Sequence, residues 1–109
     1  MNTVAMKSGL TTPRQSLVVL MQRVNHGRIE RLPVRGGEPV LDPPPRIVRE
    51  IKFGGENGPR PEVARSDFEL KAQVRDLFAQ LDALGDVVVE SLEVKHGLPF
   101  RMIVQEVPA

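Results

Sequence analysis

Two helix openings constrain this chain more than any other feature. Thr12-Pro13-Arg14-Gln15 and Ser66-Asp67-Phe68-Glu69 each place a hydroxyl residue before a helical pattern, with Gln or Glu three positions later. This is capping-box spacing, in which side chain and backbone satisfy each other's unpaired groups at a helix start. The two openings divide the chain into helix, strands, helix, strands.

Pro13 to about Asn25 reads as the first helix. Leu17, Leu20, Met21 and Val24 form one apolar stripe, and Gly27 is a suitable terminator. Arg28–Val34 and Glu38–Leu41 flank Arg35-Gly36-Gly37 as a hairpin. Pro33 and Pro39 lack a ladder donor and point to an edge position for at least one of these strands. Asp42-Pro43-Pro44-Pro45 is a stiff connector. Arg46–Phe53 reads as a strand inside the sheet, with Ile47, Ile51 and Phe53 on one face. A loop follows from Gly54 to Arg65. The second helix is expected over Asp67–Leu84, with Leu70, Val74, Leu77, Phe78, Leu81 and Leu84 as its apolar stripe and Gly85 past its end. Val88–Lys95 and Phe100–Glu106 form a second hairpin around His96-Gly97-Leu98-Pro99. The helix-then-hairpin order occurs twice, but no internal sequence repeat is read from the residues.

The expected fold is α+β: two helices packed on one face of a mostly antiparallel sheet of about five strands, in the order α-β-β-β-α-β-β. Residues 1–11 are expected as a flexible tail and residues 12–107 as a single domain. A chain of 109 residues buries roughly two-thirds of the surface its unfolded form exposes, enough for a core without disulfides or metal.

Composition excludes several classes of function. The chain has no Cys, Trp or Tyr. Thiol chemistry, disulfide scaffolds and cysteine zinc sites are therefore out. With four Phe as its whole aromatic content, the chain is poorly equipped to stack single-stranded bases. No apolar run approaches the roughly 18 residues of a membrane span, and Met1–Thr11 lacks a signal peptide's apolar stretch. The expected location is cytoplasmic.

Charge is unevenly distributed. Residues 1–35 hold six basic groups against Glu30 alone, a balance of +5, whereas residues 63–109 hold five basic and eight acidic groups, −3. Such halves attract each other, within one chain or between copies, or they recruit an anionic partner.

Three residue sets are candidates for binding. In the long loop, Glu56, Asn57, Arg60 and Glu62, together with His96, offer charge and hydrogen bonding on a glycine-rich segment. A ligand site there requires the loop and His96 to meet in one concave pocket. Arg14, Arg23, Arg28, Arg31 and Arg35 form a basic set that would engage nucleic-acid phosphates. On the second helix Phe68, Ala72, Ala79 and Ala83 lie opposite the apolar stripe and suit a homodimer contact. No residue set reads as catalytic or metal-binding, and no cofactor is expected: two His without a carboxylate set do not make a metal site, and no phosphate-loop ending is present.

The order α-β-β-β-α over roughly residues 13–84 resembles the double-stranded-RNA-binding domain. That family reads RNA shape through its first helix, a loop between its first two strands and a basic start to its second helix. Here the second helix opens with the acidic Ser66-Asp67-Phe68-Glu69, so no binding residue is carried over. The first expected function is a non-enzymatic protein-interaction or regulatory module, working as a homodimer. The alternative is an accessory nucleic-acid binder, and the third reading is a small enzyme or ligand-binding protein.

Overall fold

The computed structural model describes residues 6–55, 57–59 and 67–106. Two helices, α1 (Thr12–Val24) and α2 (Ala72–Leu84), accompany five strands: β1 (Gly27–Arg35), β2 (Glu38–Pro39), β3 (Arg46–Arg49), β4 (Val87–Lys95) and β5 (Leu98–Gln105). The strands form one antiparallel sheet in the order β2-β1-β4-β5, with β3 also paired to β1. Ile29, Leu32 and Val34 of β1 and Val89, Leu92 and Val94 of β4 share one core with Leu17, Val18, Met21, Leu77, Phe78 and Leu81 of the helices. The expected α+β architecture and element order are therefore observed.

The helix-then-hairpin order is repeated with a constant offset, and some residues match across it, contrary to the reading of the sequence. Both helices are 13 residues long, and α2 starts 60 positions after α1. β4 starts 60 positions after β1, and both strands have nine residues. At this offset Leu10 matches Leu70, Leu17 matches Leu77, Leu32 matches Leu92, Val34 matches Val94, Gly37 matches Gly97 and Pro39 matches Pro99. All of these but Pro99 are buried. The β1–β4 register is its own image under the shift: Gly27 opposes Val94, and Val34 opposes Val87. Between the end of each helix and the hairpin turn of the other half the bonds are reciprocal. Gly37 N–H donates to the Gly85 carbonyl and Gly97 N–H to the Asn25 carbonyl, each at 2.9 Å. A pseudo-twofold axis thus runs between β1 and β4. The repeat escapes a reading of the sequence because the matching residues are few and lie chiefly at buried positions.

Neither capping box forms as expected. α1 begins at Thr12 with Thr11 as its N-cap, and no side chain caps it. The Thr11 hydroxyl donates to Glu38, and Gln15 Nε2 donates to the Leu10 carbonyl. Ser66 lies outside the described residues, and α2 starts at Ala72 after Lys71. The segment before α2 is taken by another partner. Lys7 N–H donates to the Phe68 carbonyl at 2.9 Å, Met6 bridges Glu69, and Asp67 accepts from the Ser8 backbone and hydroxyl, both at 2.8 Å. This pairing holds residues 67–70 out of the helix. It also packs residues 6–11, expected as a flexible tail, against the domain: Leu10 and Lys7 are buried, with Lys7 Nζ 5.6 Å from the Phe68 ring centre.

The third strand is also different from its expectation. β3 covers only Arg46–Arg49 and lies at an edge, on the flank of β1 that it shares with β2. β4 occupies the other flank, so the interior position expected for Arg46–Phe53 is filled from the second half. Ile47, Ile51 and Phe53 are consequently exposed. β3 lies against β1 as the C-terminal part of β5 lies against β4: Val48 and Ile47 oppose Arg28 and Ile29, and Gln105 and Val104 oppose the equivalent Val88 and Val89. Two further boundaries shift: Asn25, at φ 61°, closes α1 in place of Gly27, and β2 is only two residues long. The second hairpin is placed as the sequence reads it, but its turn is only His96 and Gly97, at φ 54° and 72° as a tight two-residue turn requires, and Leu98 and Pro99, expected in the turn, begin β5.

Candidate functional site

Because the helices cover one face of the sheet, function is left to the other face, the edges and the two ends. The open face is a lattice of opposite charges. Glu30 takes Arg28 at 2.8 Å and Arg46 at 3.2 Å, Arg31 faces Glu90 at 3.8 Å, and Arg101 binds Glu93. Arg28 hydrogen bonding, followed by its charge and that of Arg46, holds Glu30 below its ordinary pKa although desolvation opposes the shift.

The five arginines of the basic set are separated by this arrangement. Arg14 is a structural tie on the helix side: it donates to the Gly37 carbonyl at 2.9 Å, pairs with Asp82, and lies 5.1 Å from the Phe78 ring centre. Arg23 is exposed on α1, Arg35 is exposed at the first hairpin turn, and Arg28 and Arg31 are paired on the open face. The dimer set is divided too. Ala72, Ala79 and Ala83 are exposed on α2, but Phe68 packs against the core.

Glu56, Arg60 and Glu62 of the loop set lie outside the described residues. Asn57 folds back on Lys52, accepting its N–H and donating to its carbonyl, both at 2.8 Å. Gly58 offers its carbonyl to Asn25 Nδ2 at 3.1 Å. The loop is thereby brought to the end of α1, next to His26, and His96 arrives there from the second hairpin. The two imidazoles stand nearly perpendicular, with ring centres 4.7 Å apart. Around them opens a cleft of about 730 Å³, lined also by Arg28, Arg49, Glu50, Lys52, Glu93 and Lys95. His96 lines this cleft, whereas none of the described loop residues, 54–55 and 57–59, does. Of its polar lining, sequence reasoning had singled out only His96 and Arg28. The 60-residue offset, which sets His26 against Asp86 and His96 against Gly36, is a signal that would have drawn attention to His26.

A second feature is the far edge of β5, unpaired among the described residues. Phe100 and Ile103 are exposed on this strand, and Val88 beside it on β4 is also exposed. The opposite edge of the sheet is broken into β2 and β3, which carry Pro39, Arg46 and Arg49.

Among the described residues there is no group of three or more His, Cys, Asp or Glu able to hold a metal ion, and no helix long and apolar enough to cross a membrane. No protein-family model, curated protein or solved structure matches the chain.

Proposed function

We propose that this protein is a non-enzymatic protein-interaction module that acts as a homodimer, with β5 of one copy pairing antiparallel to β5 of the other. One observation carries the reading: β5 is a long, largely apolar edge strand without the usual protection. Sheet edges are normally blunted by short strands, prolines or charges. The β2/β3 edge uses all three devices, and β5 uses almost none. Its one charged residue, Arg101, is bound to Glu93 on the neighbouring strand, and Pro99 lies at its start.

Self-pairing centred on Ile103 places that residue against its own copy, Met102 against Val104 and Arg101 against Gln105. No like charges oppose each other, which favours the register. The result is a continuous sheet across two copies. The helix face first considered for the dimer lacks its aromatic anchor, because Phe68 is packed against the core. The nucleic-acid alternative draws little support from five arginines divided among the helix side, the turn and the charge lattice. The cytoplasmic location belongs to this same proposal and rests on the cysteine-free composition.

Sedimentation equilibrium over a wide concentration range tests the reading. The wild type is expected to be dimeric. Ile103→Lys, which plants an unpaired charge at the centre of the interface, is expected to be monomeric with an unchanged circular dichroism spectrum. A wild type that stays monomeric throughout, or a dimer that Ile103→Lys leaves intact, defeats it.

A further inference from the structure

We propose that the cleft around His26 and His96 binds a small oxyanion, a carboxylate or phosphate group of a small-molecule ligand. The argument begins with the molecule's own second copy of the site. At the opposite end of the sheet Asp86 occupies the position equivalent to His26, and its Oδ1 accepts from the Gly36 N–H at 2.7 Å. A carboxylate oxygen on the hairpin turn is thus built into that half. At the cleft end the equivalent donor is His96 N–H, and it meets His26 Nδ1 at 3.5 Å, well beyond the 2.9–3.0 Å of a usual N–H hydrogen bond. The same turn donor is present, and among the described residues no carboxylate takes the place that Asp86 has at the other end.

Charge has collected where the internal carboxylate is missing. Among the described residues Arg49 has no ion pair and Lys95 has no carboxylate partner, its Nζ lying 4.0 Å from the Phe100 ring centre. Lys52 meets Glu50 only at 3.7 Å, and the charge of Glu93 is already met by Arg101. The equivalents of His96 and Arg28 at the other end are the uncharged Gly36 and Val88. Turn N–H groups together with guanidinium and ammonium groups are the usual elements of oxyanion recognition. A cleft of about 730 Å³ falls within the range of small-molecule sites, roughly 300–1,000 Å³.

The test is an amide NMR titration of the full chain with citrate and, separately, with inorganic phosphate, at constant ionic strength. Saturable shifts centred on His96, Gly97 and His26 are expected. The stronger of the two probes distinguishes a carboxylate ligand from a phosphate ligand. Arg49→Ala and Lys95→Ala should each weaken binding about five- to tenfold, the scale of one charge-assisted contact. His26→Asp should abolish it by installing the carboxylate that Asp86 supplies in the other half, and His26→Asn should retain it. Arg49 is exposed on an edge strand, so its variant reports on binding even if the His26 variants misfold. Absence of saturable shifts with both probes overturns the proposal. So does binding that survives either Arg49→Ala and Lys95→Ala together or His26→Asp unchanged.

Discussion

Gly27 shows how one residue can serve a purpose its local sequence does not disclose. After a helical stripe it reads as a terminator, yet Asn25 takes that role. Gly27 lies at φ 154°, and a Cβ there would stand 2.1 Å from the Val48 carbonyl oxygen and 2.9 Å from Arg49 Cα. The missing side chain is what lets β3 approach β1. The equivalent residue in the second half is Val87. Gly27→Ala should destabilise the fold by about 2 kcal/mol or more, through combined overpacking and backbone strain. Urea denaturation measures the loss, and hydrogen exchange should show β3 amides released ahead of those in β1 and β4. A glycine wanted for close approach and one wanted for a helix end are the same letter in the sequence, and only the neighbouring strand tells them apart.

At the scale of elements, periodicity and turn chemistry gave reliable guides, while helix starts did not. The stripes of α1 and α2 and the places of the two hairpins are local properties, so they were legible, although the turns proved shorter than expected. The capping boxes failed because distant segments compete for the same backbone and side-chain groups. Asp67 is the clearest case. Its hydrogen bonds from Ser8, side chain first and backbone next, hold its carboxyl below the ordinary 3.8. A carboxyl with a depressed pKa in the folded state stabilises that state above its unfolded pKa. The contribution is lost as pH falls through the folded value. The difference in melting temperature between wild type and Asp67→Asn should therefore persist at neutral pH and shrink on acidification below about 3.8. Thermal melts followed by circular dichroism across that range check both the sign and the window. A difference independent of pH would mean that the Ser8–Asp67 contact does not stabilise the junction between the N-terminal segment and α2.

For the whole molecule, the pseudo-twofold axis makes the two halves comparable in energy as well as shape. Leu17 and Leu77 are equivalent and both are buried, at 0% and 6% exposure. Leu17→Ala and Leu77→Ala should each cost about 2–4 kcal/mol, the usual range for removing a buried leucine side chain. Each should leave one cooperative urea transition, because β1 and β4 pair along the axis and neither half completes the core alone. Two separate transitions would show the halves to be independent units. The candidate sites lie where the symmetry fails. β5 is continuous where the first half breaks the same edge into β2 and β3, and His26 stands where the second half has Asp86. The core must fill the same space twice, so its residues match across the repeat. The surface is under no such demand, so differences gather there.

The sequence by itself determined the kinds of element, their order, the two hairpin turns and most of the buried set. These depend on side-chain periodicity and on glycine conformations within a few residues. The tertiary structure decided that β1 pairs with β4, that β3 stays at the edge with Ile51 and Phe53 exposed, and that the N-terminal segment takes the lead-in to α2. It also decided that Arg14 is a structural tie and that His26, His96, Arg49 and Lys95 share one cleft. Each of these outcomes turns on which of several distant segments wins the same hydrogen-bonding groups or the same apolar face. That competition is settled only when the whole chain packs.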